Sequence, residues 1–419
     1  MIGPNFAYER HAGFFKYCLK ILPQQYTPTD TTRLAIIFFC ISALDLLGVI
    51  PNSEEENLNP NFGLKKVTKD QVEKWKDWIY ETCLLPSRAA FRCSPALAFA
   101  NDSSSKQTYD PGHTAGTYFA LATLLILRDD LSRIDRPAMM RWLCACQRDD
   151  GSFATGLLET DSHHGEFGGE HFGEPDLRFG YCAAAIRWII GGDLLSQRGL
   201  APDIDVIKAR AHVLDECVTY DGGMGMGGMT ESHGGLTYCG VGMLDLLGGA
   251  SDSLGDGIDE LVRWCLLHQT AISDEDFSGD EQDEDDMVDG ELLVGFNGRF
   301  NKPPDTCYSF WVGGTLAMLP LQNGVSSLAL SDARRNVSFL LYKTQNTRVG
   351  GFSKCAGHHP DALHAYLGIA ALSLCAETAR KAGDDDEVWE LLKGLKKLDA
   401  ALCISYDARQ YVEDLRRRW

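Results

Sequence analysis

The chain predicts an all-α fold, a ring of about six helical hairpins (an α/α toroid), from three observations. One helix-start signature recurs, turn segments of one kind separate the starts, and the strand signal is weak throughout. The starts are Asp110-Pro111-Gly112-His113, Glu174-Pro175-Asp176-Leu177-Arg178, Glu231-Ser232-His233-Gly234-Gly235, Pro304-Asp305-Thr306-Cys307 and Pro360-Asp361-Ala362-Leu363-His364. Each sets capping or breaking residues before an apolar run such as 181–190 or 363–374. The turns carry a Gln or Tyr and then Gly: 147–153, 220–228, 269 onward and 345–352.

Taken in order, the elements begin with the apolar run Leu34–Ile50. It carries Asp45 and ends at Pro51, so it reads as a buried core helix and not a membrane span. The recurring starts follow at separations of 64, 57, 73 and 56 residues. Two intervals hold insertions, a Gly/His-rich one at 159–174 and an acidic one at 273–291. Without them the period is roughly 50–55 residues, enough for a two-helix repeat. Residues 222–228 (GGMGMGG) resemble a phosphate loop, but no strand precedes them and no Lys-Ser/Thr follows, so they read as a turn. Repeated hairpins bury their faces against neighbours, in an open solenoid or a closed ring, and periodicity alone does not choose. Closure is favoured by chemistry. With alternate helices as an inner wall, the starts share one mouth and gather His113, Arg178, His233, Asp305, Cys307 and His364. The whole chain, 1–419, is then a single domain.

Bulk composition narrows the function. The net charge of −20 argues against nucleic acid or an anionic membrane surface as the main partner. Residues 273–291 hold eleven Asp/Glu and no Lys or Arg, leaving 48 acidic against 39 basic residues elsewhere. That block reads as a solvated, disordered insertion. Fourteen cysteines without a CxxC pair fit reduced thiols in the cytoplasm. Residues 1–15 lack a basic region followed by an apolar run, so no signal peptide is expected.

The most informative stretch is 298–311, with Arg299, Lys302, Asp305, Cys307, Tyr308 and Trp311 around Pro303-Pro304. Asp305 and Cys307 cannot share one face of a continuous helix, but they converge where a loop enters one. Asp305 is expected near the N-cap, where exposed N–H groups and the helix dipole favour a Cys307 thiolate. Arg299 and Lys302 would attract a polyanion such as a diphosphate. The histidines 163, 164 and 171 read as part of a flexible insertion and not as a second metal site.

These residues resemble the β subunits of the CaaX protein prenyltransferases, and most closely the geranylgeranyl type I kind. The resemblance runs from about Arg10 to Leu374 and rests on Thr31–Leu34, Asp176–Cys182, Ser232–Gly240, the Asp305/Cys307 segment and His359–Tyr366. It implies a heterodimer with an α subunit, and thioether formation between geranylgeranyl diphosphate and a cysteine near the C terminus of CaaX-ending proteins such as small GTPases. By position it makes Asp305, Cys307 and His364 zinc ligands, which with Tyr308 form the catalytic set. Three such ligands leave a fourth tetrahedral position for the substrate thiol. It makes His233, Arg299, Lys302 and Tyr308 the diphosphate-binding residues, opposing the charge that gathers as the C1–O bond breaks.

The resemblance also bears on lipid and ion. The farnesyl kind has bulky aromatics at the positions of Ala35 and Leu363, and Trp at that of Phe39. A small residue at Ala35 leaves space for a further isoprene unit, since packed interiors do not absorb a ring by compression. Arg178, Phe179, Tyr181, Cys239 and Trp311 would wall the lipid and peptide pocket, with His113, Phe39 and Phe179 around a terminal Leu or Phe. Where the farnesyl kind uses an Asp at a magnesium site, this chain has Lys354, which implies no magnesium requirement. The rival readings are a farnesyl or Rab-type geranylgeranyl β subunit, or, in another class, a catalytically silent helical-ring scaffold or a terpenoid cyclase on the same toroid.

Overall fold

The computed structural model describes residues 5–51, 64–85, 89–98, 110–158, 169–271, 287–288, 291–321 and 325–419. Among the described residues, six hairpins alternate outer and inner helices. The outer helices are α1 (Tyr8–Cys18), α3 (Lys69–Cys83), α5 (Arg136–Cys146), α7 (Val206–Ala211), α9 (Ile258–Leu267) and α11 (Ala333–Phe339). Single wide turns, His212–Cys217 and Leu340–Thr344, prolong α7 and α11. The inner helices are α2 (Arg33–Leu46), α4 (Thr114–Ile126), α6 (Leu177–Ile190), α8 (Gly234–Leu246), α10 (Thr306–Met318) and α12 (Ala362–Ala382). Each inner helix packs on the next in chain order, and α12 returns to α2, so the array closes.

Sequence assigns the two layers. Inner helices are apolar nearly all round and buried on every face, as α8 is from Thr237 to Leu244. Outer helices bury one stripe, as α3 does through Val72, Ile79, Tyr80 and Cys83. Asp135, Asp205 and Asp332 cap outer helices by accepting from the third helical N–H. Five of the six inner helices take their caps from the recurring signature: His113, Asp176, His233, Asp305 and Asp361. The Leu34–Ile50 run forms the core helix α2 as far as Leu46, with Asp45 fully buried against the Lys396 ammonium at 2.6 Å and the Ser405 hydroxyl. The inner helix α12 is long and apolar enough to cross a membrane, but 83% of its apolar window is buried in the ring.

Neighbouring hairpins are stitched at one rim. The first helical N–H of α4 donates to Thr155 O, that of α8 to Gly298 O and that of α10 to Lys354 O, each from the following turn. These bonds absorb donors every helix start leaves over. The turns themselves repeat: Gln147 bridges Phe153, Val218 bridges Met224 and Gln345 bridges Phe352. Gln269 pairs with Phe296 in the same manner across the acidic insertion, whose residues 273–286 and 289–290 lie outside the described residues. Residues 159–168 also lie outside them. The rest of the Gly/His-rich stretch is ordered: Glu170–Phe172 pairs with Gly156–Leu158, and His171 Nε2 donates to Ala145 O at 2.8 Å.

Two features complete the ring. At its seam, His11 of α1 donates to Gln345 Oε1 (2.9 Å) and accepts from Gly351 N (2.9 Å), joining the first outer helix to the last turn. At the far end, the turn Ala400–Cys403 enters the barrel. Tyr238, Tyr181 and Tyr118 donate to the carbonyls of Ala400, Ala401 and Leu402 at 2.7, 2.9 and 2.9 Å, and Tyr366 donates to that of Cys403. Four phenols from four inner helices thus hold four consecutive carbonyls.

Candidate active site

The site is built from two helix caps. Asp305 Oδ1 accepts from Cys307 N at 2.9 Å, and Asp361 Oδ1 accepts from Leu363 N and His364 N at 3.0 Å each. The other Asp361 oxygen lies 2.6 Å from His364 Nδ1. A carboxylate only accepts, so Nδ1 carries the proton and Nε2 turns toward Asp305 Oδ1, 3.4 Å away. The ligand atoms of Asp305, Cys307 and His364 all lie within 4.8 Å of one another, largely buried. A tetrahedral zinc ion with bonds of ~2.0–2.3 Å holds its ligand atoms roughly 3.3–3.8 Å apart, so these three fit with a small contraction. The carboxylate behind the imidazole is the usual support of a ligating histidine.

Electrostatics correct one expectation. Burial is the largest influence on Cys307, and together with the Asp305 carboxylate it pushes the thiol well above its ordinary value. The helix start does not make it a thiolate by itself; a cation must do so. Burial would lower His364, but the Asp305 and Asp361 carboxylates outweigh it and raise the imidazole to about 9. Burial would raise Asp305, and its bonds with His364 and Cys307 hold it below the usual carboxylate range.

Beside this centre lies a cavity of about 330 Å³, lined among others by Arg299, Lys302, Tyr308, Lys354, Cys355 and His358. Lys354 Nζ is 3.9 Å from Asp305 Oδ2, which ties the cavity to the candidate ligand set. Tyr308 OH is 3.0 Å from His233 Nε2. His233 Nδ1 accepts from Gly235 N, so Nε2 bears the proton and points at the phenol. Gly298 is required here: a Cβ would sit 2.0 Å from the Tyr308 ring. Arg299 spans to Glu231 at 3.2 Å, exposed on both sides.

Around the mouth, His113 packs edge-on to Phe179 (6.0 Å between ring centres), and Arg178 forks onto the buried Asp176. Ala35 and Leu363 are half-buried on α2 and α12. Phe39 is buried and stacks on Tyr366 at 5.8 Å. Trp311 lies 4.9 Å from Tyr238. Tyr181 and Cys239 are buried, and the Tyr181 hydroxyl is committed to the far-end turn.

Two features escaped sequence reasoning. Asp361 reads as a cap, yet its second oxygen orients His364. The phenol set has a regular signal: the aromatics Tyr118, Tyr181, Tyr238, Phe310 and Tyr366 each stand five residues after an inner cap.

Comparison with known proteins agrees with the closed helical ring. The family described as Prenyltransferase alpha-alpha toroid domain matches residues 6–404. The geranylgeranyl transferase type-1 subunit beta of Arabidopsis thaliana is 32% identical over 89% of this chain and 86% of its own length. The protein of the same name from Dictyostelium discoideum is 30% identical over 87% and 90%. The solved Candida albicans protein geranylgeranyltransferase-I complexed with GGPP superposes with a TM-score of 0.75 at 28% identity, covering 98% of this chain and 99% of that one. With its closed ring and its Asp-Cys-His centre, the chain belongs to the prenyltransferase alpha-alpha toroid family, among the β subunits of the protein prenyltransferases.

Proposed function

We propose that this chain is the catalytic β subunit of a type I protein geranylgeranyltransferase. With an α subunit it transfers the C20 group of geranylgeranyl diphosphate to the cysteine of C-terminal CaaX sequences ending in Leu or Phe. The observation that carries the reading is the convergence of Asp305, Cys307 and His364 beside a cavity edged by Arg299, Lys302 and Lys354. Asp305, Cys307 and His364 would hold zinc, which supplies the charge that keeps a substrate thiol deprotonated near neutral pH.

The other steps belong to the chain itself. Arg299, Lys302 and Lys354 neutralise the diphosphate, with Lys354 taking the place of a magnesium ion. Tyr308 and His233 offer hydrogen bonds where negative charge accumulates on the leaving oxygen. The C–S bond forms as the C1–O bond breaks, diphosphate leaves, and the thiol proton has already passed to solvent. Half-buried Ala35 keeps the pocket long enough for a fourth isoprene unit, which disfavours the farnesyl reading. An intact ligand triad disfavours a silent scaffold. All fourteen cysteines are free, in keeping with a cytoplasmic protein. The test is zinc content of the αβ complex and its turnover with C20 and C15 diphosphates on a Leu-ending peptide, with and without magnesium. About one zinc per chain and preference for C20 without added magnesium are expected. Preference for C15, or turnover without zinc, would refute the reading.

A further inference from the structure

The cations Arg299 and Lys302 stand on an exposed loop, residues 299–303, whose grip on the body is narrow. Asn301 sits there at φ 60°, in the left-handed region that asparagine enters more readily than other non-glycine residues, and the loop is held from outside. The hold comes from the end of the outer helix α9. Asn297 Nδ2 donates to Lys302 O at 2.9 Å and so closes the neck of the loop. Its Oδ1 lies 2.5 Å from Nδ1 of His268, the residue that ends α9, and Asn297 N donates to His268 O at 2.9 Å. Because the Asn oxygen only accepts, His268 Nδ1 must donate. Turning the amide over would set oxygen against the Lys302 carbonyl and NH₂ against the imidazole N–H. The Lys302 carbonyl therefore fixes which way Asn297 faces, and the His268 Nδ1 proton completes the bond on its other side.

The same helix end seats the rest of the site. The His268 ring, with no exposed surface, stacks on Phe300 (4.3 Å, 27°) next to Arg299. One turn earlier Trp264 packs against it at 4.0 Å and donates from Nε1 to Ser232 Oγ at 2.9 Å. Ser232 in turn donates to Asp221 Oδ2 at 2.7 Å and immediately precedes His233. Gly223 of the Gly-rich turn is needed for this approach, since a Cβ would meet Trp264 at 2.5 Å.

We infer that His268 is a positioning residue for diphosphate, holding the Arg299–Lys302 loop in register with His233 through Asn297 and the aromatic stack on Phe300. The inference rests on the diphosphate reading of those cations. His268 touches no substrate, and its nearest neighbours here are Asn297, Phe300 and Trp264, so its effect is confined to anion affinity.

The test uses the zinc-loaded αβ complex and inorganic diphosphate as a competitive probe, which is blind to lipid length. His268→Phe keeps the ring and removes the donor; inhibition by diphosphate is expected to weaken about five- to tenfold, the scale of one lost hydrogen bond. Zinc content and KM for the peptide are expected to stay unchanged. His268→Asn places an amide N–H where Nδ1 stood and is expected to recover most of the loss. His268→Phe combined with Asn297→Ala should be no worse than Asn297→Ala alone. If His268→Phe yields no soluble complex, Asn297→Asp carries the test, since it keeps the acceptor and loses the donor to Lys302 O. Unchanged diphosphate inhibition in these variants would overturn the inference, as would a parallel loss of zinc and peptide binding. Failure of the parent complex to be inhibited by diphosphate would instead sink the functional reading beneath it.

Discussion

Asp361 Oδ2 lies 2.6 Å from His364 Nδ1, three residues along the same helix start, so one side chain both caps α12 and aims the imidazole at Asp305. Asp361→Asn retains a capping oxygen but can no longer stabilise the imidazole through a charge. Zinc affinity should fall about 10- to 100-fold, as measured by competition with a chromophoric chelator. The helix should remain intact, because the Leu363 and His364 amides keep an acceptor. An unaltered zinc affinity would show that Asp361 is a cap and nothing more.

Zinc uptake should expel protons. Between pH 7 and 8 the metal-free chain holds a proton on Cys307 and an extra one on His364, whose imidazole is raised to about 9. Both must leave on binding, so affinity should climb by roughly two orders of magnitude per pH unit up to about pH 9. Calorimetry in buffers of different ionisation enthalpy counts the protons directly. About two are expected at pH 7.5, and none would mean the ligands were already ionised.

The seam should be acid-sensitive. Burial lowers His11 to about 4, against about 6.5 in an unfolded chain. The unfolded form therefore takes up the proton first. The stability involved is fully present above pH 6.5 and is lost as pH falls from there toward 4. It amounts to about 3 kcal/mol for this fully buried group. His113, also lowered to about 4 by burial, adds in the same window. Unfolding midpoints of His11→Phe should be lower at neutral pH than those of the parent, and flatter between pH 6.5 and 4.

Each phenol of the far-end set should matter individually. Tyr181→Phe leaves the buried Ala401 carbonyl without its donor, at a cost of about 1–3 kcal/mol. Tyr118 and Tyr181 also lie 3.2 Å apart, hydroxyl to hydroxyl, so their double Phe variant should depart from additivity. Denaturant unfolding of the αβ complex reads both effects.

Lipid choice should turn on Ala35. An added indole there would fill space for the last isoprene unit, whose five carbons represent about 3–4 kcal/mol at ~0.8 kcal/mol per CH₂. Ala35→Trp should move C20-over-C15 preference by a couple of orders of magnitude in a competition assay. A preference that stays put would place the end of the pocket elsewhere.

Helix starts and the grouping of Asp305, Cys307 and His364 were legible in the sequence because caps and metal-type side chains are local chemistry with fixed residue types. The five inner caps fall on the recurring signatures, and Asp305 is the cap that its Pro-Pro entry indicates. The charge state of Cys307 was not legible, because the dipole at a helix start is local whereas burial depends on the whole ring. Asp361 hid for a related reason: its backbone role is visible in sequence, and its second oxygen is not. The four tyrosines lie inside apolar runs and look like core packing until the carbonyls that they bind, 37 to 284 residues away, are known.

That last separation bears on how the molecule comes into being. His11 finds its partner Gln345 334 residues downstream, and Tyr118 waits for Leu402. Hairpins can form as they emerge from the ribosome, but the enclosed interior cannot exist until the final stretch has arrived. Such long-range closure makes folding slow and leaves apolar inner walls open to wrong partners in the meantime. Nascent chains paused before residue 400 should be sensitive to proteases and dependent on chaperones, and the Asp305, Cys307 and His364 cluster on α10 and α12 would be among the last parts to mature.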